Sequence, residues 1–106
     1  MKIGILNYGL GNIKSLSRAV SEIGLNFTVI NNEKDFINID QLILPGVGSF
    51  PDAMEKLIKK NFKECLINYV EKNKKLIGIC LGMQLLATES EEYKLTKGLN
   101  FIPGKI

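Results

Sequence analysis

An α/β fold, a mostly parallel sheet with helices on both faces, is predicted by three features of the 106-residue sequence. Short apolar runs alternate with amphipathic helical segments in a βαβ…βαβ order, the pattern that builds parallel sheets through helical crossovers. Glycine-rich turns close two of the runs, at Tyr8-Gly9-Leu10-Gly11-Asn12 and at Pro45-Gly46-Val47-Gly48. Lys75 to Leu86 reads as a buried strand that breaks at Cys80 and turns straight into a helix.

Taken in order, Ile3–Asn7 is a short apolar strand, and Asn12 is placed to cap the helix that follows the first glycine turn. That helix carries Leu16, Ala19, Val20 and Ile23 on one face and ends at Gly24, a good residue for a helix exit. Phe27–Ile30 is the second strand. The polar stretch 31–40 has room for a short helical turn around Phe36, and Gln41–Leu44 is the third strand, stopped by Pro45. Pro51 suits the first turn of a helix whose Met54, Leu57 and Ile58 share a face. A further helical stretch aligns Phe62, Leu66, Tyr69 and Val70, with Cys65 alongside. Leu76–Ile79 is the fourth strand, and a helix is expected from Met83 to Ala87. Thr88–Lys97, with the acidic run Glu89-Ser90-Glu91-Glu92, is expected to be a solvated loop. Residues 98–104 read as an edge strand limited by Pro103. There are no internal repeats, and Lys105-Ile106 continues an apolar strand pattern rather than marking a domain end.

Composition narrows the function classes. With 45% hydrophobic and 24% charged residues, the chain fits one ordinary globular domain. The net charge of +3 is modest, and the cluster Lys72-Asn73-Lys74-Lys75 reads as a solvated turn, so no nucleic-acid face is predicted. The two cysteines, Cys65 on the apolar side of a predicted helix and Cys80 in a strand-to-helix turn, do not resemble a disulfide framework and point to a reducing, cytoplasmic setting. The longest apolar stretch, Leu76 to Ala87, is interrupted by Gln84 and too short to span a bilayer. Gly9-Leu10-Gly11 invites a dinucleotide site, but the third glycine of that fingerprint falls at Lys14, and a tight turn is the default. No histidine and no spaced carboxylates are present to hold a metal.

Chemistry concentrates at Gly78-Ile79-Cys80-Leu81-Gly82. G-x-C-x-G is the thiol form of a nucleophile elbow, in which small residues two before and two after the nucleophile let strand and helix approach. The following helix would direct its N-terminus at the sulfur and favour the thiolate. Pro45-Gly46-Val47-Gly48 lies at the C-terminal end of a parallel strand, where α/β sheets place their sites, and its backbone N–H groups suit a developing oxyanion. A cysteine nucleophile normally needs a histidine as general base and acid, and this sequence has none.

Together, residues 7–12, 44–54, 78–86 and 98–104 resemble the class I (triad-type) glutamine amidotransferases, and within them the glutaminase subunits of imidazole glycerol phosphate synthases. The resemblance implies the N-terminal half of such a domain, over residues 1–106, with the family's catalytic His and Glu belonging to the other half. It implies Cys80 as the nucleophile, forming a glutamyl thioester with L-glutamine, and the backbone N–H groups of Leu81 and Val47 as the oxyanion hole. A flip of the Gly46–Val47 peptide before its N–H points inward would make activity depend on a partner. Gly46, Gly48 and Gln84 would hold the substrate, and Tyr8, Gly11 and Asn12 would lie near a (β/α)₈-barrel cyclase subunit that receives ammonia for histidine biosynthesis. No cofactor and no metal are implied. Asn7 stands where the family usually has aspartate, with little functional effect expected. These residues alone are expected to be inactive, and half a doubly wound sheet is expected to leave an apolar strand edge exposed. Two alternatives stay open. Relatives of this subunit aminate sugars, since acceptor choice belongs to the partner; a non-catalytic α/β interaction module would keep Cys80 as a core residue.

Overall fold

A computed structural model describes all 106 residues. Four parallel strands, β1 (Ile3–Leu6), β2 (Phe27–Ile30), β3 (Gln41–Leu44) and β4 (Lys75–Gly78), form one sheet in the order β2-β1-β3-β4. Ile3 pairs with Phe27 on one side and Gln41 on the other, and Leu44 pairs with Gly78. The helices α1 (Ile13–Glu22), α2 (Phe50–Lys59) and α3 (Phe62–Glu71) cover the sheet on both faces, as the alternation predicts.

Side-chain alternation along the strands sorts the core. Ile3, Ile5 and Ile43 point to one face and pack with Val20 of α1. Leu6, Leu42 and Leu44 point to the other and join Phe50, Met54, Leu57, Phe62 and Leu66 of α2 and α3. Each fully buried side chain of this size stabilises the fold by about 1.5–3 kcal/mol relative to exposure. Asn12 caps α1, its side chain accepting the Ser15 N–H at 3.1 Å, and Gly24 leaves the helix at φ +80°. Ser49 caps α2 by accepting the Asp52 N–H at 3.2 Å, with proline in the first turn. A 3₁₀ turn, Glu33–Phe36, occupies the polar stretch before β3. The lysine cluster forms the turn into β4, where Asn73 takes φ +59° and Lys74 Nζ sits 5.8 Å from the centre of the Tyr69 ring.

The structure corrects several expectations. Ile23 and Ile58 are exposed, at 71% and 55%; Ile23 lies past the end of α1 as its C-cap, and Ile58 falls in the last turn of α2. β4 is not buried: it is an edge strand whose outer edge has no partner, and Ile77 is 45% exposed. The helix after the elbow, α4 (Leu81–Gln84), lasts a single turn instead of running to Ala87. Its continuation is diverted because the carbonyls of Leu85, Leu86 and Ala87 accept N–H groups from Leu99, Phe101 and Asn100, at 2.8, 2.8 and 3.0 Å. Thr88–Lys97 is a solvated loop only over residues 91–95, and its two ends are strands. β5 (Ala87–Ser90) pairs antiparallel with β6 (Thr96–Lys97) and parallel with β7 (Ile102–Lys105), in the order β6-β5-β7. Glu89 lies opposite Lys97 in the antiparallel register, and its carboxylate pairs with Lys105 Nζ of β7 at 4.0 Å. The acidic run is partly built in: Ser90 is fully buried, and Glu92 Oε1 accepts the Phe50 N–H at 2.8 Å, at the start of α2. Pro103 does lie on an edge strand, β7. No helix is long and apolar enough to cross a membrane.

Candidate active site

β3 and β4 run side by side to the same end, and the Ile79 N–H donates to the Leu44 carbonyl at 3.0 Å, holding the pairing up to the residue before Cys80. The chain then reverses sharply. Cys80 has φ +56° and ψ −123°, a region that residues with a side chain rarely occupy, and the following residue already belongs to α4. Such a conformation costs about 1–3 kcal/mol and persists only where the surroundings enforce it. Here they do. A Cβ on Gly78 would lie 2.7 Å from Met83 Cα and 2.8 Å from the Gly82 carbonyl oxygen. A Cβ on Gly82 would fall on the Leu44 carbonyl oxygen. Both glycines of G-x-C-x-G are therefore required by close approach. The Cys80 side chain is exposed and its carbonyl accepts from Met83 and Gln84 N–H at 2.9 and 3.3 Å. Because α4 is one turn long, it brings little of the macrodipole expected behind the sulfur.

The Pro45–Gly48 segment lies against this elbow. A Cβ on Gly46 would come within 2.9 Å of the Gly82 nitrogen and 3.0 Å of the Leu81 Cβ. Gly46, Val47, Ile79 and Cys80, with Asn12 and Ser15 at the start of α1, line one pocket of about 280 Å³. The Val47 N–H and the Leu81 N–H have no backbone acceptor. The structure thus brings together Cys80, Gly46, Val47 and Asn12. It does not bring Gly48 or Gln84 into that pocket. Gly48, at φ +106°, instead lines a neighbouring hollow of about 500 Å³ with Ser49, Asp52 and Glu92. Gln84 is half-buried one turn beyond Cys80. Tyr8 is 1% exposed and donates its hydroxyl to the Pro45 carbonyl at 2.7 Å, so its side chain is a core element and not a surface for a partner; Asn12 remains exposed.

Two features escape the sequence-based prediction. The Glu92 contact with α2 had one legible counterpart, the Ser49-Phe50-Pro51-Asp52 capping pattern, which marks where that helix starts. The Tyr8 hydroxyl bond spans 37 positions and has no local signal. The second cysteine is set apart from this site. Cys65 is half-buried on α3 with its sulfur 3.9 Å from Glu33 Oε1, and burial, followed by the Glu33 charge, pushes its thiol pKa up.

A parallel α/β sheet with a strained cysteine elbow, set beside a glycine segment with free N–H groups, is the architecture of a class of cysteine-elbow α/β domains. The chain belongs to the class-I glutamine amidotransferase family, whose match covers residues 4–101. Among curated proteins it is similar to the imidazole glycerol phosphate synthase subunit HisH of Shouchella clausii, 44% identical over 98% of this chain and 50% of that one. HisH 2 of Vibrio vulnificus is 49% identical over 100% of this chain and 50% of its own, and HisH of Listeria innocua 43% over 98% and 50%. The chain therefore spans about half the length of the curated relatives it matches. A solved glutamine amidotransferase structure superposes with a TM-score of 0.77 over 92% of this chain and 51% of that one, at 21% identity, a likeness of fold.

Proposed function

We propose that this chain carries the nucleophile half of a glutaminase that supplies ammonia to a cyclase subunit making imidazole glycerol phosphate, in the histidine pathway. The observation that carries it is Cys80 at φ +56° in an elbow packed against Gly46. The Cys80 thiolate attacks the side-chain amide carbon of L-glutamine, forming a C–S bond while the carbonyl electrons move to oxygen. Val47 and Leu81 N–H groups donate to that oxyanion, a contribution of about 10²–10³ in rate for one such donor. Collapse breaks the C–N bond, and ammonia leaves with a proton delivered by a general acid. Water then cleaves the thioester to glutamate. With no histidine among these residues, the acid and base come from elsewhere in the working enzyme. Gly48 and Gln84, outside the Cys80 pocket, are the residues that would hold the rest of the substrate in this reading.

The names of the 41–49% identical relatives favour the imidazole glycerol phosphate branch over sugar amination, and describe subunits of a synthase. The partner in this reading is a barrel cyclase that docks near Gly11 and the exposed Asn12. Two free thiols fit the reducing cytoplasm. The test is glutamine hydrolysis by the protein as expressed from its gene, together with any subunit that co-purifies. Cys80→Ser should abolish turnover and Cys65→Ser should leave it near the parent's level. Turnover that survives Cys80→Ser would sink the proposal.

A further inference from the structure

We propose that Tyr8 is a positioning residue for the oxyanion segment: with Gly11 it clamps Pro45 and holds the Pro45–Gly46 peptide, the fixed end from which the Gly46–Val47 peptide and its Val47 N–H are aimed. This rests on the glutaminase role assigned above to Cys80 and Val47. Proline has no N–H and a φ set by its ring, so its carbonyl is the one polar backbone group by which Pro45 can be oriented. Tyr8 Oη donates to that carbonyl at 2.7 Å from a ring that is 1% exposed. Burial raises the phenol pKa far above its ordinary value, so the hydroxyl remains a donor throughout the working range. On the other side, the turn closes on the proline ring: a Cβ on Gly11 would lie 3.0 Å from Pro45 Cγ and 3.2 Å from its Cβ.

The next residue has no slack either. A Cβ on Gly46 would come within 2.7 Å of Tyr8 Oη as well as 2.9 Å of the Gly82 nitrogen. The Tyr8 hydroxyl, the Gly46 α-carbon and the elbow of Cys80 are thus stacked in contact. Rotation of the Pro45–Gly46 peptide away from Tyr8 would leave a buried carbonyl without its partner. With that peptide held, the Gly46 φ and ψ are the two torsions left between it and the Val47 N–H, which they aim at the pocket shared with Cys80.

Tyr8→Phe keeps the ring and removes only the hydrogen bond. In the protein as expressed from its gene, kcat for glutamine hydrolysis should fall about 10- to 100-fold, the scale of a misplaced catalytic group. KM for glutamine should change by less than about two-fold, since the lost interaction is made in the transition state. A residue that merely fills the core would lower the melting temperature and leave kcat per folded molecule intact. Gly11→Ala tests the clamp from its other jaw, keeps the hydroxyl, and should lower kcat at least about five-fold by pressing on the Pro45 ring. It carries the test if Tyr8→Phe does not fold. Folded variants with kcat within two-fold of the parent, or with KM raised and kcat unchanged, overturn the proposal. If Cys80→Ser is inactive in the same assay, that result leaves the glutaminase role standing. A parent without turnover, or turnover that survives Cys80→Ser, overturns that role and the Tyr8 proposal with it.

Discussion

The Gly82 α-carbon is pressed against the Leu44 carbonyl oxygen, which itself accepts the Ile79 N–H at 3.0 Å. One backbone oxygen thus joins the end of β3 to both sides of the Cys80 elbow. Gly82→Ala would drive a methyl onto that oxygen, and because the obstacle is backbone, the elbow must move. The expected cost is about 1–3 kcal/mol of stability, read as a lower denaturant midpoint, with Cys80 reactivity lost to a larger extent. A variant as stable and reactive as the parent would mean that the approach is looser than the structure has it.

The strain at Cys80 inverts a familiar order. In ordinary positions glycine is worse than alanine by about 0.5–1 kcal/mol. At φ +56° and an exposed site, little packing is lost by either substitution, and relief of strain dominates. Cys80→Gly should therefore be more stable than Cys80→Ala by about 1 kcal/mol. Thermal denaturation of the two variants side by side decides it, and the reverse order would deny the strained turn.

Cys65 should behave as the protected thiol. Its pKa is raised first by burial and then by the Glu33 carboxylate. A raised acid pKa means that the folded state holds the proton longer than the unfolded chain, so stability drops as pH rises through the thiol range and not below it. Glu33→Gln should speed alkylation of Cys65 at mildly alkaline pH while leaving Cys80 labelling unchanged. Equal Cys65 rates in parent and variant would remove Glu33 from the account.

Tyr69 donates to the Lys75 carbonyl at 2.8 Å, fixing the turn from α3 into β4, and burial pushes its pKa up to about 12. The bond needs the protonated phenol, so its contribution is intact below pH 10 and lost as pH rises towards 12. Tyr69→Phe should cost about 1 kcal/mol at neutral pH and show a shallower stability loss in alkali. Parallel curves for parent and variant would contradict this.

Much of the first eighty residues was legible because its signals are local. Apolar runs at 3–6, 27–30 and 41–44 became parallel strands, Asn12 capped its helix, and the glycines flanking Cys80 proved sterically required. Beyond the elbow the determinants are non-local. Whether Leu85, Leu86 and Ala87 continue a helix depends on N–H groups from residues 99–102 competing for their carbonyls. The strands at 87–90 and 96–97 are polar and short, so periodicity could not find them. In the site, the Cys80 elbow could be read from its spacing. The seat of Tyr8 against Pro45, and the separation of Gly48 and Gln84 from the Cys80 pocket, depend on how distant turns pack.

The central claim, that Cys80 is a glutamine-directed nucleophile, is tested most directly by treating the protein as expressed from its gene with 6-diazo-5-oxo-L-norleucine. Peptide mass mapping then locates the adduct. A single adduct on Cys80, suppressed by excess L-glutamine, with Cys65 unmodified, is the predicted result. Equal labelling of both cysteines, or labelling of Cys80 that glutamine does not suppress, would contradict it.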